Sequence, residues 1–283
     1  MLNLLERIQN LDRRWVFLGM AIAIILPMLY PVSLPFKVEG QVQAIYDRIE
    51  ALPEGSPVLV SADYDPSARP ELDPFYRAVL HQLFRKNLRV VVITLWDTAP
   101  PMVAPIVANI AAEHHKVETE DWAFLGFKSG KEAAIKSIGE DLIKTFPTDP
   151  RGRDVATLPI MKGIRSARDF PLIVNVSGGF PGTKEYVMQI QGQYSLNIVS
   201  STTAVSGPEY IPFFKSGQIK GLAAGMVGAA QYEKLVMGDE APPGQRLGGK
   251  EGANVLNLGH LYIIMLITVG NIAFFATRNR GVA

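Results

Sequence analysis

From Pro57 to Val236, short apolar runs rich in β-branched residues alternate with longer amphipathic stretches, and this cadence constrains the fold more than any other feature. Pro57–Asp63, Leu88–Trp96, Trp122–Phe127, Phe170–Val176 and Leu196–Ser200 read as strands. Near-continuous apolarity, in place of strict alternation, marks a parallel strand buried on both faces. Between the strands, apolar residues recur at helical spacing. Val42, Ile45, Ile49 and Leu52 precede the first strand. Leu72, Phe75, Tyr76, Val79, Leu80, Leu83 and Phe84 follow it, with Asp73-Pro74 as cap and first turn. Pro100-Pro101 open a helix that ends near His114-His115, and further helices are predicted over 131–145, 184–193, Pro208–Phe214 and Gly221–Val236. Residues 147–169, rich in Pro, Gly, Asp and Arg, read as a long surface loop or lid. Repeated βα units predict an α/β domain, a Rossmann-like, doubly wound and mostly parallel sheet.

The two ends of the chain have a different character. Leu4, Leu5, Ile8 and Leu11 predict an amphipathic interfacial helix over 1–14. Trp15 to Leu34 carries no charge, which predicts a first transmembrane helix over 15–35, with Pro27 and Pro31 kinking or ending it. A cleaved signal peptide is the alternative, but Tyr30-Pro31-Val32-Ser33-Leu34-Pro35 offers no small-x-small site. Residues 36–240 form the α/β domain, and 241–257 read as a flexible linker. A second transmembrane helix is expected over 258–277, followed by a short basic tail, 278–283. The expectation is thus a domain flanked by one N-terminal and one C-terminal span. Arginine is denser in the tails than beside the domain, which predicts cytoplasmic termini and an extracytoplasmic domain.

The formal net charge of +1 over 283 residues leaves no concentrated basic surface, so a nucleic-acid partner is not expected. The chain has no cysteine, which excludes disulfides, thiolate catalysis and cysteine-ligated zinc.

Ligands in open α/β sheets bind beyond the C-terminal ends of the strands, so the residues there are the candidates. Asp63 and Asp65 end the first strand, and Asp97 ends the second. If they converge, such carboxylates hold Mg²⁺ or Ca²⁺, or act as nucleophile and general acid–base. The stretch Val58-Leu59-Val60-Ser61-Ala62-Asp63-Tyr64-Asp65-Pro66 resembles the first motif of haloacid-dehalogenase-like phosphotransferases. That resemblance implies Asp63 as nucleophile, Asp65 as acid–base and Thr94 as the second motif; a metal at the strand ends would fall to Asp63 and Asp65. No lysine followed by an acidic pair at a strand end completes the set. Asp-Tyr-Asp-Pro is equally good turn chemistry, with aspartate oxygens accepting from backbone N–H groups.

Ser177-Gly178-Gly179-Phe180-Pro181-Gly182-Thr183-Lys184 lies between a strand and a helix, where glycines can turn N–H groups toward an anion. It is neither a P-loop nor a dinucleotide fingerprint. With Ser201 and Thr202 it completes a candidate polar pocket comprising Asp63, Asp65, Thr94, Asp97, Ser177, Gly178, Gly179, Thr183, Ser201 and Thr202. Gly221, Gly225 and Gly228 form a small-residue face that suits packing on the sheet or a partner. His114 and His115 read as a helix C-cap, with His81 isolated.

The function expected from these features is an accessory, ligand-sensing or scaffolding subunit of a membrane complex, without catalysis. Its partners would be the lipid bilayer and a membrane protein or a second copy, met through the second span and the Gly221–Gly228 helix. Two alternatives stand beside it: a membrane-anchored Mg-dependent hydrolase using Asp63, Asp65 and Asp97, and a solute-binding module of a transporter.

Overall fold

The computed structural model describes residues 11–30, 37–238 and 248–278. Most of the interfacial helix expected over 1–14, the linker over 241–247 and the tail beyond Arg278 lie outside the described residues. In chain order the helices and strands are α1 (Arg13–Leu29), α2 (Gly40–Glu50), β1 (Pro57–Asp63), α3 (Arg69–Arg85), β2 (Arg89–Thr94), α4 (Pro100–Glu113) and β3 (Trp122–Phe127). There follow α5 (Glu132–Glu140), α6 (Leu142–Thr145), β4 (Leu172–Ser177), α7 (Thr183–Tyr186), α8 (Gly192–Tyr194), β5 (Ile198–Thr202), α9 (Gly207–Lys215), β6 (Gly221–Ala224), α10 (Gly225–Met237) and α11 (Gly248–Arg278).

The strands pair into one six-stranded, all-parallel sheet in the order β3-β2-β1-β4-β5-β6. That is the order of the doubly wound dinucleotide-binding arrangement, whose switch point falls between β1 and β4. A shared topology specifies where a crevice can open, not what fills it. Two apolar layers sandwich the sheet. Val58, Val60, Val90, Val92, Val174 and Val199 pack against α2, α3, α4 and α10. Leu59, Val91, Ile93, Ile173 and Ile198 pack against α5, α6, α7 and the turns over 155–170. Successive strand residues feed opposite layers, so the all-apolar strands foreseen in the sequence are required by geometry.

Several predicted elements change. Gly221–Ala224 is a strand, not the first turn of a long helix, and the helix begins only at Gly225. Gly225 has φ +61°, and a Cβ there would lie 2.7 Å from that of Ala204, so the sharp strand-to-helix turn requires glycine. The helix expected over 131–145 breaks at Asp141, whose carboxylate caps α6 by accepting from the Lys144 N–H at 2.9 Å. The helix expected over 184–193 is interrupted by a π-type segment, Val187–Gln191. The long loop carries one-turn 3-10 segments at Val155–Thr157, Pro159–Met161 and Ala167–Asp169. The helix after β1 begins at Arg69, earlier than Asp73, because Pro70 suits its first turn and Asp65 satisfies the N–H groups ahead of it.

The chain separates into two compact units, residues 36–250 with the sheet, and 1–35 together with 251–283. In the second unit the Tyr262 hydroxyl donates to the Val16 carbonyl at 3.0 Å, and Gly19 gives its ring room. Among the described residues one helix, Gly248–Thr277, is long and apolar enough to cross a membrane. The expectation of two spans is corrected accordingly. α1 has 17 residues and spends its first two on Arg13 and Arg14, leaving fewer than the roughly 20 apolar residues a hydrocarbon core requires. The stretch read as a linker up to 257 is helical from Gly248 onward, continuous with the apolar helix.

Candidate functional site

β1 delivers three consecutive residues, Asp63, Tyr64 and Asp65, to the switch point, and each enters a different environment. Asp63 is wholly buried. Its Oδ2 accepts from the Ser61 hydroxyl at 2.6 Å and the Asn175 amide at 2.9 Å, while Oδ1 accepts from the Leu95 backbone N–H at 2.7 Å. One carboxylate therefore ties β1 to β4 and to the end of β2. Burial pushes its pKa up to about 7, against the lowering pull of hydrogen bonds from Ser61, Leu95, Asn175 and Thr94.

The network continues inward. The Tyr186 hydroxyl donates to Ser61 Oγ at 2.8 Å, and the Thr183 hydroxyl donates to Asn175 Oδ1 at 2.9 Å. Thr183 and Ser200 share a further hydrogen bond. Ser61, Asn175, Ser200 and Thr183 are all buried, so this is a polar layer inside the sheet and its α7 side, closed to solvent.

Tyr64 is also fully buried, and its hydroxyl donates to Asp73 at 2.9 Å. Asp65 stands at the surface and serves the turn: its Oδ1 accepts from the Ser67 N–H and hydroxyl and from the Ala68 N–H. The Ser67 hydroxyl foremost holds the Asp65 carboxyl below its ordinary value. Asp97 is exposed beyond β2, away from the buried surroundings of Asp63. The Thr94 hydroxyl accepts from the Trp96 N–H at 3.1 Å within its own turn. Among the described residues no group of three or more His, Asp or Glu side chains is placed to hold a metal.

The glycine-rich loop is likewise occupied by the chain itself. The Gly178 N–H donates to the Asp63 carbonyl at 2.9 Å, extending the β1–β4 ladder by one bond. A Cβ at Gly178 would lie 3.2 Å from that of Tyr64 and 3.3 Å from that of Ala68. Trp96 lies over Gly179, and its indole N–H donates to the Pro181 carbonyl at 3.0 Å. The Gly182 N–H donates to Glu185 Oε2 at 2.8 Å. Ser177 Oγ closes a local turn with Gly179, and the Thr202 hydroxyl donates to the Thr203 carbonyl at 3.3 Å. Ser201 Oγ is buried without a hydrogen-bond partner among the described residues.

Of the predicted site residues, the structure joins Asp63 to Thr183 through Asn175 and packs Gly178 and Gly179 beside them. It leaves Asp65 and Asp97 at the surface. Sequence reasoning missed Ser61, Asn175, Tyr186 and Ser200. A signal was present in three of them: a polar residue inside an otherwise apolar buried strand must find a partner there.

The small-residue face is used within the chain. A Cβ at Gly221 would lie 2.5 Å from Ile45 Cγ1 of α2, and one at Gly228 would lie 2.9 Å from the Ala223 carbonyl carbon of β6. The histidines read as separate come together: His81 Nδ1 and His114 Nε2 lie 3.0 Å apart, joining the ends of α3 and α4. No protein-family model matches this chain, and no curated protein matches it in sequence.

Proposed function

We propose that the protein is a membrane-anchored, non-catalytic α/β subunit that serves an assembly at the bilayer by scaffolding or ligand sensing. The observation that carries this reading is the filled switch point. Where this topology ordinarily opens a crevice, Tyr64 and Ala68 lie against Gly178 and Trp96 lies against Gly179, and Asp63 is buried with both oxygens bonded. A nucleophile or metal ligand must meet substrate or ion; this carboxylate meets only protein. At the glycine-rich loop the Gly182 N–H is likewise taken by Glu185.

α11 supplies the anchor, because its apolar side chains Leu261, Ile264, Ile267, Ile272 and Phe275 face outward. α1 packs against it where the Tyr262 hydroxyl donates to the Val16 carbonyl beside Gly19. As the one span, α11 would separate the α/β unit from the C-terminal tail across the bilayer. Membrane-embedded partners would then be met along α11, where Gly270 allows close approach of another helix.

The reading is tested on full-length protein in native membranes. It should resist carbonate extraction and, in mild detergent, migrate in a complex larger than its own mass. Purified protein should hydrolyse p-nitrophenyl phosphate with Mg²⁺ no faster than buffer. Turnover that vanishes in a folded Asp63→Asn variant would sink the proposal in favour of the hydrolase.

A further inference from the structure

The open edge of the sheet holds a cavity unrelated to the strand ends. It has a volume of about 870 Å³ and lies between α4, β3 and the loop over 148–153. Drug-sized ligands occupy clefts of ~300–1,000 Å³ that are largely apolar with a few placed polar groups.

The apolar part is built from both elements. α4 contributes Pro101, Ala104, Pro105 and Ala108, the face it turns away from the core. β3 contributes Trp122, Phe124 and Phe127, and a bulge makes this possible. Trp122 pairs with Val90, Phe124 with Val92 and Phe127 with Thr94, the register shifting between Val92 and Ile93. Simple alternation would send Phe127 to the opposite face from Phe124; the extra residue, Leu125, returns it to the same face.

The remaining wall is a fixed ionic frame. Asp149 is buried, and its Oδ1 accepts from the Arg151 and Arg153 backbone N–H groups, each at 2.9 Å. Its Oδ2 accepts from Arg153 Nε at 2.6 Å. Burial alone would raise its pKa, but the Arg153 and Arg151 hydrogen bonds outweigh that and hold the carboxyl below its ordinary value. Glu118 Oε1 accepts from Arg153 at 2.6 Å, and Glu118 Oε2 pairs with Arg151 at 2.9 Å. Gly126, at φ +94°, lets Pro150 approach to where a Cβ would stand 3.0 Å from its ring, so the loop rests directly on the strand.

Donor and acceptor capacity in this frame are unequal. All four carboxylate oxygens are engaged, whereas Arg151, with its side chain 67% exposed, gives one guanidinium nitrogen to Glu118. A guanidinium has five N–H donors. The frame is neutral overall, and its free capacity beside the aromatic wall is donating, from the Arg151 guanidinium.

We infer that this cavity binds a small molecule with a flat apolar body and a carboxylate, the body against Trp122, Phe124 and Phe127 and the carboxylate on Arg151. The site is separate from the switch point and the anchor, and stands whether or not the subunit reading holds.

The test uses the full chain in lipid nanodiscs, titrated calorimetrically with 1-naphthoate and with neutral 1-naphthalenemethanol, empty nanodiscs serving as blank. The naphthoate should bind at least tenfold tighter than the alcohol. Arg151→Gln should bring the two probes to equal affinity, and Ala104→Phe, which fills the cavity from a half-exposed position, should abolish binding of both. Cooperative unfolding of each variant establishes that it is folded. The inference is overturned by absence of naphthoate binding up to millimolar concentration, by equal affinity for the two probes, or by undiminished binding in either variant.

Discussion

Asp63, Tyr64 and Asp65 are neighbours in sequence with unrelated surroundings, and Asp63 makes the protein's response to pH specific. Its pKa of about 7 lies above the ordinary aspartate value of 3.8. The folded state therefore favours the protonated form, and this contribution is complete below about pH 4 and lost as pH rises toward 7. For a fully buried group the shift corresponds to on the order of 4 kcal/mol. When protonated at Oδ2, Asp63 can donate to Ser61, provided the Ser61 and Tyr186 hydroxyls reverse their donation. His81 acts oppositely. Burial foremost, then His114, Arg77 and Arg85, outweigh Glu113 and push it from 6.5 to about 4. Its contribution is complete above pH 6.5 and is lost as pH falls toward 4; His114 shifts in the same direction. Wild-type thermal midpoints should thus vary little between pH 4 and 7. Asp63→Asn, which sets one amide against the Asn175 amide and costs about 1–3 kcal/mol, should become steadily more stable with rising pH over that window. His81→Phe should become less stable. Parallel curves for all three proteins would show that neither group titrates as its burial requires.

At the level of elements, α2 packs on one face of the edge strand β6. Gly221 is the contact point, with a prospective Cβ 2.9 Å from the Ile45 backbone nitrogen and 3.2 Å from the Gln41 carbonyl oxygen. Backbone on that side cannot rotate away, so Gly221→Ala should force α2 outward and destabilise the fold by about 1–3 kcal/mol. Urea unfolding should show a lower midpoint at unchanged slope. This strand also marks what the sequence conceals. β1 was legible from Pro57 to Asp63 because its apolar run is long and ends in charged and turn residues. Gly221-Leu222-Ala223-Ala224 has no β-branched residue, and its small side chains suit a helix face equally well. Pairing with β5 decides its state, and that information lies elsewhere in the chain. The candidate site divides the same way. The location at Asp63 was legible, but its role depends on Asn175, which lies 112 positions away. The cavity at β3 was not legible, because its bulge and its ionic frame exist only once distant segments meet.

For the molecule as a whole, the boundary between the two units makes a prediction about independence. The sheet unit, residues 36–250, contains both apolar layers and the polar network of Asp63. Expressed without the flanking segments, it should remain soluble and unfold in one cooperative calorimetric transition. The full chain should partition with membranes. A fragment that aggregates or melts gradually would mean that the apolar helices stabilise the sheet and do not merely anchor it.

The seating of α2 on β6 also bears on synthesis. α2 leaves the ribosome ahead of every strand, yet the backbone it rests upon is nearly the last part of the sheet to be made. At ~5–20 residues per second, Ile45 waits on the order of ten seconds or more for Gly221. Over that interval the open margin of the growing sheet passes from β1 to β4 and then to β5, while its earliest helix still lacks the strand it packs on. Nascent chains stalled before residue 221 should therefore be the species most dependent on chaperones.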